Sequence, residues 1–277
     1  MKEQLTRQPS VAGMFYPASE KELRNNLEEL FTKASPSPPL GNIVALISPH
    51  AGYMYSGLTA AYGYKLLQGK QFDSVVIVSP SHREYFNGIS VYNGSAYKTP
   101  VGTFHIDETL RFDLLSKSER IETSSRGHGA EHAIEVQLPF LSMMLGEINI
   151  LPIVMGDQTR ELCFELGNAL AEILSGKQCL LVASTDLSHY YPYETAKKLD
   201  KRAIDDIKRF NYEQLMDDLE NNITEACGGG PTVAVLAAAQ QLGATDVQIL
   251  HHCNSGDVTG DHSGVVGYLS AAVVKAH

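Results

Sequence analysis

Cysteine is scarce in this 277-residue chain, and the four present, Cys163, Cys179, Cys227 and Cys253, form no CxxC pair. That spacing argues against a zinc knuckle and a disulfide scaffold, and it fits a reducing compartment. Basic residues are in deficit, 22 against 32 acidic ones, giving a formal net charge of −10. A chain of that sign repels phosphate backbones and anionic lipid, so neither nucleic acid nor a membrane is an expected partner. No apolar run is long enough to cross a bilayer; the longest near the C-terminus, Val265 to Val274, is interrupted by Gly267 and Ser270. The opening MKEQLTRQPS lacks the apolar stretch of a secretory leader, and the expected location is the cytoplasm. GxGxxG, Walker A and GxSxG patterns are also missing, which removes support for dinucleotide, nucleoside triphosphate and α/β-hydrolase chemistry.

What is present is alternation. Short β-branched or aliphatic runs at 42–48, 73–79, 148–154, 178–184, 246–252 and 264–274 alternate with segments of helical period. Those segments lie near 19–33, 57–68, 131–144, 158–175, 193–209, 212–221 and 231–242. The pattern predicts an α/β fold in which helices cover both faces of a mixed, largely parallel sheet, with residues 1–277 forming a single domain. Ser19 and Glu22 carry a capping-box signature for the first helix, and the following ASPSPPLG reads as a short connector. Residues 84–106 read as a β excursion from the main sheet.

The chemistry-bearing residues collect where apolar runs stop. One run ends in Ser48-Pro49-His50, and another ends in the near echo Ser79-Pro80-Ser81-His82. Two more lead into Ser184-Thr185-Asp186-Leu187-Ser188-His189 and His251-His252-Cys253-Asn254-Ser255-Gly256-Asp257. In an open α/β sheet ligands sit outside the carboxyl ends of the strands, so segments far apart in sequence can converge there. Two imidazoles and one anionic donor make a metal face with open positions, and His50 and His82 with Cys253 or Asp257 supply that set. A single histidine after a strand more often serves a turn; the repeated Pro-His arrangement is what favours a ligand role. Asp186 and His189 suit an acid/base pair, although an Asp at a strand-to-helix turn is also a common cap. Glu131-His132 opens a helical segment, where the glutamate suits capping and the histidine can reach a shared cleft. Cys227-Gly228-Gly229-Gly230-Pro231 opens another, with an anion site or close packing as the alternatives. Tyr53 and Tyr55 are placed either at the pocket or in aromatic packing.

The segments VAGMFYP, SPHAGYMYSG, SPSHREYFNG, VGTF, EHAIEVQLPFL, STDLSHY, CGGGP and NSGDVTGD occur in this order from about Val11 to about Val274. Together they resemble the Memo-like family, whose prokaryotic members are called AmmeMemoRadiSam system protein B. The resemblance implies an α/β/α sandwich similar to class III extradiol ring-cleavage dioxygenases, with the site at one edge of the sheet. It implies His50 and His82 as metal ligands, Asp186 as a pocket carboxylate and His189 as a histidine behind the ligands; His132, from the Glu131-His132 reading above, is a further catalytic candidate that would hold a substrate oxyanion or a second proton. The third ligand stays open between Cys253 and Asp257. Fe(II) is the expected metal, with copper or zinc as alternatives, in a redox enzyme acting on a small molecule or peptide. Company with a radical SAM enzyme and an AMMECR-type protein is implied by the family name. The competing expectations are a non-catalytic binding module and a zinc-dependent hydrolase.

Overall fold

Strand character follows from being covered on both faces. In the computed structural model, which describes residues 5–276, the segment SVVIVSP is buried at every position. Its Val76 and Val78 join one apolar core while Val75 and Ile77 join another on the opposite face, as the two-residue period of a strand requires.

In chain order the first half comprises β1 (Thr6–Arg7), α1 (Glu20–Lys33), β2 (Gly41–Ser48), α2 (Tyr53–Lys65), β3 (Ser74–Pro80), β4 (Ile89–Tyr92), β5 (Ala96–Thr99), β6 (Gly102–His105), α3 (Glu108–Leu115), β7 (Ile121–Ser124), a 3-10 turn (Glu135–Gln137) and α4 (Leu138–Leu145). The second half comprises β8 (Asn149–Met155), α5 (Arg160–Leu174), β9 (Cys179–Ser184), β10 (His189–Tyr191), α6 (Tyr193–Lys208), α7 (Tyr212–Glu220), α8 (Gly229–Gln241), β11 (Asp246–Asn254), α9 (Ser255–Thr259) and β12 (Val265–Ala276).

Among the described residues the main sheet has nine strands, ordered β10-β12-β2-β9-β3-β8-β4-β7, with β11 also paired to β12. β2, β9, β3 and β8 run parallel, and β12 closes one side antiparallel to β2. Helices α1, α2 and α4 contribute to the core on one face, and α3, α5, α6, α7 and α8 to the core on the other. The α/β sandwich anticipated from the alternation is thus the observed architecture. α8 is rich in Gly and Ala, and this lets it lie close against α5: a Cβ on Gly167 would meet Ala234 O at 3.0 Å. No helix among the described residues is long and apolar enough to cross a membrane.

Several boundaries differ from the sequence expectation. Ser19 does cap α1, accepting from the Glu22 N–H at 3.5 Å. α2 starts at Tyr53 instead of residue 57, because Gly52 occupies its N-cap and the backbone turns directly after the β2 loop. Residues 131–134 are not helical; a tight turn at Glu135–Gln137 precedes α4. The 84–106 excursion divides: β4 pairs with β8 inside the main sheet, whereas β5 and β6 form a small separate sheet with β1. α3 and β7 were not anticipated, since neither offers more than two fully apolar turns or a continuous apolar run.

Candidate metal centre

Three neighbouring parallel strands present their carboxyl ends at one edge of the sheet. β2 delivers Pro49-His50, β9 delivers Thr185-Asp186 and β3 delivers Ser81-His82. His132 arrives from the irregular segment before the 3-10 turn. The ring centroids of His50, His82 and His132 lie 5.0, 5.5 and 5.1 Å apart pairwise. One ring nitrogen from each falls within 4.8 Å of the other two, the arrangement of a group that can hold a metal ion.

Two of the three imidazoles are held from behind. His50 is buried, and its Nδ1 lies 2.9 Å from Ser184 Oγ. His82 Nδ1 lies 3.0 Å from Glu131 Oε1, and the His82 backbone N–H donates to the other oxygen of the same carboxylate. Glu131 also accepts from the N–H groups of His132 (2.8 Å) and Ala133 (3.0 Å), so one carboxylate fixes the segments carrying two of the histidines. Burial works to raise the Glu131 carboxyl, but the hydrogen bonds and charge of His82 outweigh it and hold the group down at about 2. As an anion it can only accept, so His82 Nδ1 donates to it and Nε2 is the ring nitrogen left available to an ion. His132 Nδ1 is buried and makes no hydrogen bond; it lies 3.3 Å from Glu131 Oε1 without the geometry of one. Burial pushes His132 down to about 4 and, reinforced by His82 and His132, holds His50 well below the usual imidazole value. Neutral imidazoles with free ring nitrogens are what a transition-metal ion needs, and an orphaned buried nitrogen among them fits the same group.

Asp186 and His189 stand next to this triad. Asp186 Oδ1 accepts the His50 backbone N–H at 2.8 Å, and Oδ2 is 4.0 Å from His50 Nε2. Burial pushes the Asp186 carboxyl up to about 7, opposed by the His50 N–H. The capping role weighed for Asp186 is not what it performs. His189 Nδ1 lies 2.8 Å from Leu187 O; a carbonyl only accepts, so Nδ1 carries the proton and Nε2 is free. Burial lowers the His189 value.

Cys227 was missed as a site residue. Its Sγ lies 3.1 Å from His50 Nε2, and burial raises the thiol. The glycines after it serve close packing: a Cβ on Gly228 would sit 2.2 Å from Ser184 O. The N–H groups of Gly228, Gly229 and Gly230 are taken by Thr185 Oγ1, Ala226 O and Gln158 Oε1, so this helix start holds no anion. Cys227 and His189 together line a cavity of about 380 Å³ with Gln158, Met216 and Glu225. The Cys-Gly-Gly-Gly sequence was the available signal; it was read for its glycines instead of its thiol.

Cys253 and Asp257 are not brought into the histidine group. Cys253 Sγ turns toward α2, 3.2 Å from Thr59 Oγ1. Asp257 completes the capping box of α9 with Asn254 and accepts from Tyr193 OH at 2.6 Å. Both line a separate cavity of about 550 Å³ between α6 and β11, which contains none of the three histidines. The physical reason is strand order: β12 intervenes between β11 and β2, so the β11 terminus is displaced by about 10 Å, two inter-strand spacings. Tyr53 is a core residue, donating to Val136 O at 2.7 Å and packing on Phe140.

A profile of the Memo-like protein family matches residues 7–272. A MEMO1 family protein of Methanosarcina mazei is 39% identical over 270 residues, covering 96% of this chain and 98% of the relative. MEMO1 family protein MJ0403 of Methanocaldococcus jannaschii is 38% identical over 283 residues, again 96% and 98% of the two chains. Among solved structures, the crystal structure of uncharacterized protein JW3007 from Escherichia coli K12 superposes with a TM-score of 0.60 over 84% of this chain and 100% of that one. Its sequence identity is 18%, so that likeness concerns the fold alone.

Proposed function

The chain belongs to the Memo-like family, and on that premise we propose that it is a metal-dependent redox enzyme whose ion is held by His50, His82 and His132, with Cys227 supplying a thiol. The observation that carries this reading is the convergence of three imidazoles on one point, two of them secured by a buried partner and the third, His132, with a buried nitrogen left unpartnered. Fe(II), or copper in its place, would supply electron transfer and a polarising charge at that point. The chain's own groups do the remaining work. The cavity beside Cys227 receives a small organic molecule or peptide side chain, with Met216 and Leu219 offering apolar contact. His189, its proton committed to Leu187 O, accepts a proton from the substrate at Nε2. Asp186, buried beside the histidines, holds the His50 backbone in place. The likeness of the family to extradiol dioxygenases supports the redox assignment by analogy of fold.

A zinc-dependent hydrolase is the second reading, favoured by the three imidazoles themselves, since three histidines and an open position form a catalytic zinc set. Elemental analysis of anaerobically purified protein, with His50→Ala, His82→Ala and His132→Ala alongside, separates the two. Near-stoichiometric iron or copper, lost in all three variants, is the expected result. Zinc in the parent protein selects hydrolysis, and full metal content in folded variants places the ion elsewhere and sinks both readings.

A further inference from the structure

Behind His50 lies a closed hydrogen-bond chain that the proposed activity does not itself require. Tyr64, Gln137, Ser184 and His50 are all buried and come from α2, the 3-10 turn, β9 and the β2 loop. Tyr64 OH lies 2.7 Å from Gln137 Oε1. Gln137 Nε2 lies 3.0 Å from Pro49 O and 2.8 Å from Ser184 Oγ. Ser184 Oγ is 2.7 Å from Ala133 O and 2.9 Å from His50 Nδ1.

The proton positions in this chain follow from which groups can only accept. Pro49 O is a carbonyl, so the amide end of Gln137 facing it must be the NH2 group; turned over, the amide would set two acceptors against each other at 3.0 Å. Gln137 therefore donates to Ser184 Oγ, and its oxygen accepts from Tyr64. Ala133 O is also a carbonyl, within a fully buried residue, and among the described residues the only hydrogen bond it accepts is from the Ser184 hydroxyl. A hydroxyl has one proton, and that proton is spent on Ala133 O. What Ser184 has left for His50 is a lone pair, so His50 Nδ1 must donate. Nε2 is then the unprotonated nitrogen, the one 3.1 Å from Cys227 Sγ and facing the other histidines.

We propose that Ser184, locked by Gln137 and Ala133 O, is a positioning residue that fixes His50 in its Nδ1–H tautomer and thereby aims a permanent lone pair from Nε2 into the metal centre. The inference rests on the metal reading only for its purpose; the tautomer is a property of the metal-free chain. His82 reaches the same tautomer through an anion, Glu131, whereas His50 reaches it through a neutral relay. A neutral acceptor leaves the charge of the centre unchanged while still setting the direction of the ligand.

The test is nitrogen NMR of metal-free protein labelled with 15N-histidine at neutral pH, with His50→Ala used to assign the resonance. The Nδ1–H tautomer at His50 is expected; an Nε2–H tautomer in the parent protein overturns the proposal. Ser184→Ala should let His50 populate both tautomers and weaken binding of zinc(II), used as a diamagnetic probe, by roughly 10–100-fold. Ser184→Thr, which retains the hydroxyl, should restore the single tautomer. A Ser184→Ala protein that loses thermal stability but keeps one tautomer and parent zinc affinity would show Ser184 to be structural only. If the parent protein shows the expected tautomer and binds no metal, the metal reading fails while the relay stands.

Discussion

Arg7 and Glu135, 128 residues apart, form a buried ion pair, with Nη1 of the arginine 2.6 Å from Oε2 of the glutamate. Arg7 also donates to the backbone carbonyls of His128 and Glu131, and Glu135 accepts from the N–H groups of Ser10 and Val11 and from Tyr16 OH. The N-terminal segment is thereby tied to the stretch that carries Glu131 and His132. Phe15 of that segment lies against the His132 ring at 4.6 Å.

Removing one partner leaves the other charged and dry. Glu135→Ala should therefore cost about 3–5 kcal/mol in chemical denaturation, well beyond the worth of an exposed pair. Glu20 and Arg24, exposed on α1, supply the contrast: breaking that pair should change stability by under about 0.5 kcal/mol. A cost below about 1 kcal/mol for Glu135→Ala would show that water reaches the Arg7 site.

Glu131 fixes His82 through its side chain and its backbone at once. Glu131→Gln keeps the size but replaces an anion by an amide, one end of which must face a donor. Metal affinity should fall by about 10–100-fold, measured by competition with a chelator, while the fold survives. Unchanged affinity would mean that His82 is oriented by something other than this carboxylate.

How much of this was legible before the structure depends on the residue. The β2, β3 and β9 ends could be read because strands buried on both faces are continuous apolar runs that stop abruptly at polar residues. That these three are neighbours could not, since β9 lies between β2 and β3 although it follows them by about a hundred residues. The β11 end looks the same in sequence, and the position of β12 is what removes Cys253 from the site. Cys227 sits in a connection, where no periodicity points a side chain in any direction; His132 sits in another, and it was expected as a catalytic group but falls within the histidine group itself. Glu135 and Arg7 lie in segments of opposite charge with nothing local to join them; their pairing is set by tertiary structure alone.

The two cysteines give a direct comparison. Cys227→Ala should lower affinity for a thiophilic ion such as zinc at least about tenfold, because its Sγ borders His50 Nε2. Cys253→Ser should leave affinity unchanged, since its partner is Thr59 and a serine hydroxyl can keep that bond. The opposite ranking would return the third ligand to the 253–257 loop.

His128 sets a pH limit on stability that can be isolated from the metal centre. Its Nε2 lies 3.2 Å from Ser90 O and its Nδ1 2.5 Å from Tyr97 OH. The carbonyl takes the ring N–H, so Nδ1 accepts from the tyrosine and the neutral ring is satisfied on both sides. Burial, with the Arg7 charge nearby, pushes His128 down to about 3, against a pull upward from Ser90 O and the Glu131 charge. In the unfolded chain it titrates near the ordinary value, about 6.5. Between these two values the unfolded chain holds a proton that the folded one refuses, so the His128 contribution is complete above about pH 6.5 and is lost as pH falls toward 3. The slope is about 1.4 kcal/mol per pH unit within that window. His128→Gln can donate to Ser90 O and accept from Tyr97 without titrating. Subtracting its unfolding free energies from those of the parent protein between pH 6.5 and 4 should leave that slope, because the other buried histidines contribute equally to both. Parallel pH profiles for the two proteins would mean that His128 is protonated in the folded chain, with Tyr97 OH accepting from it.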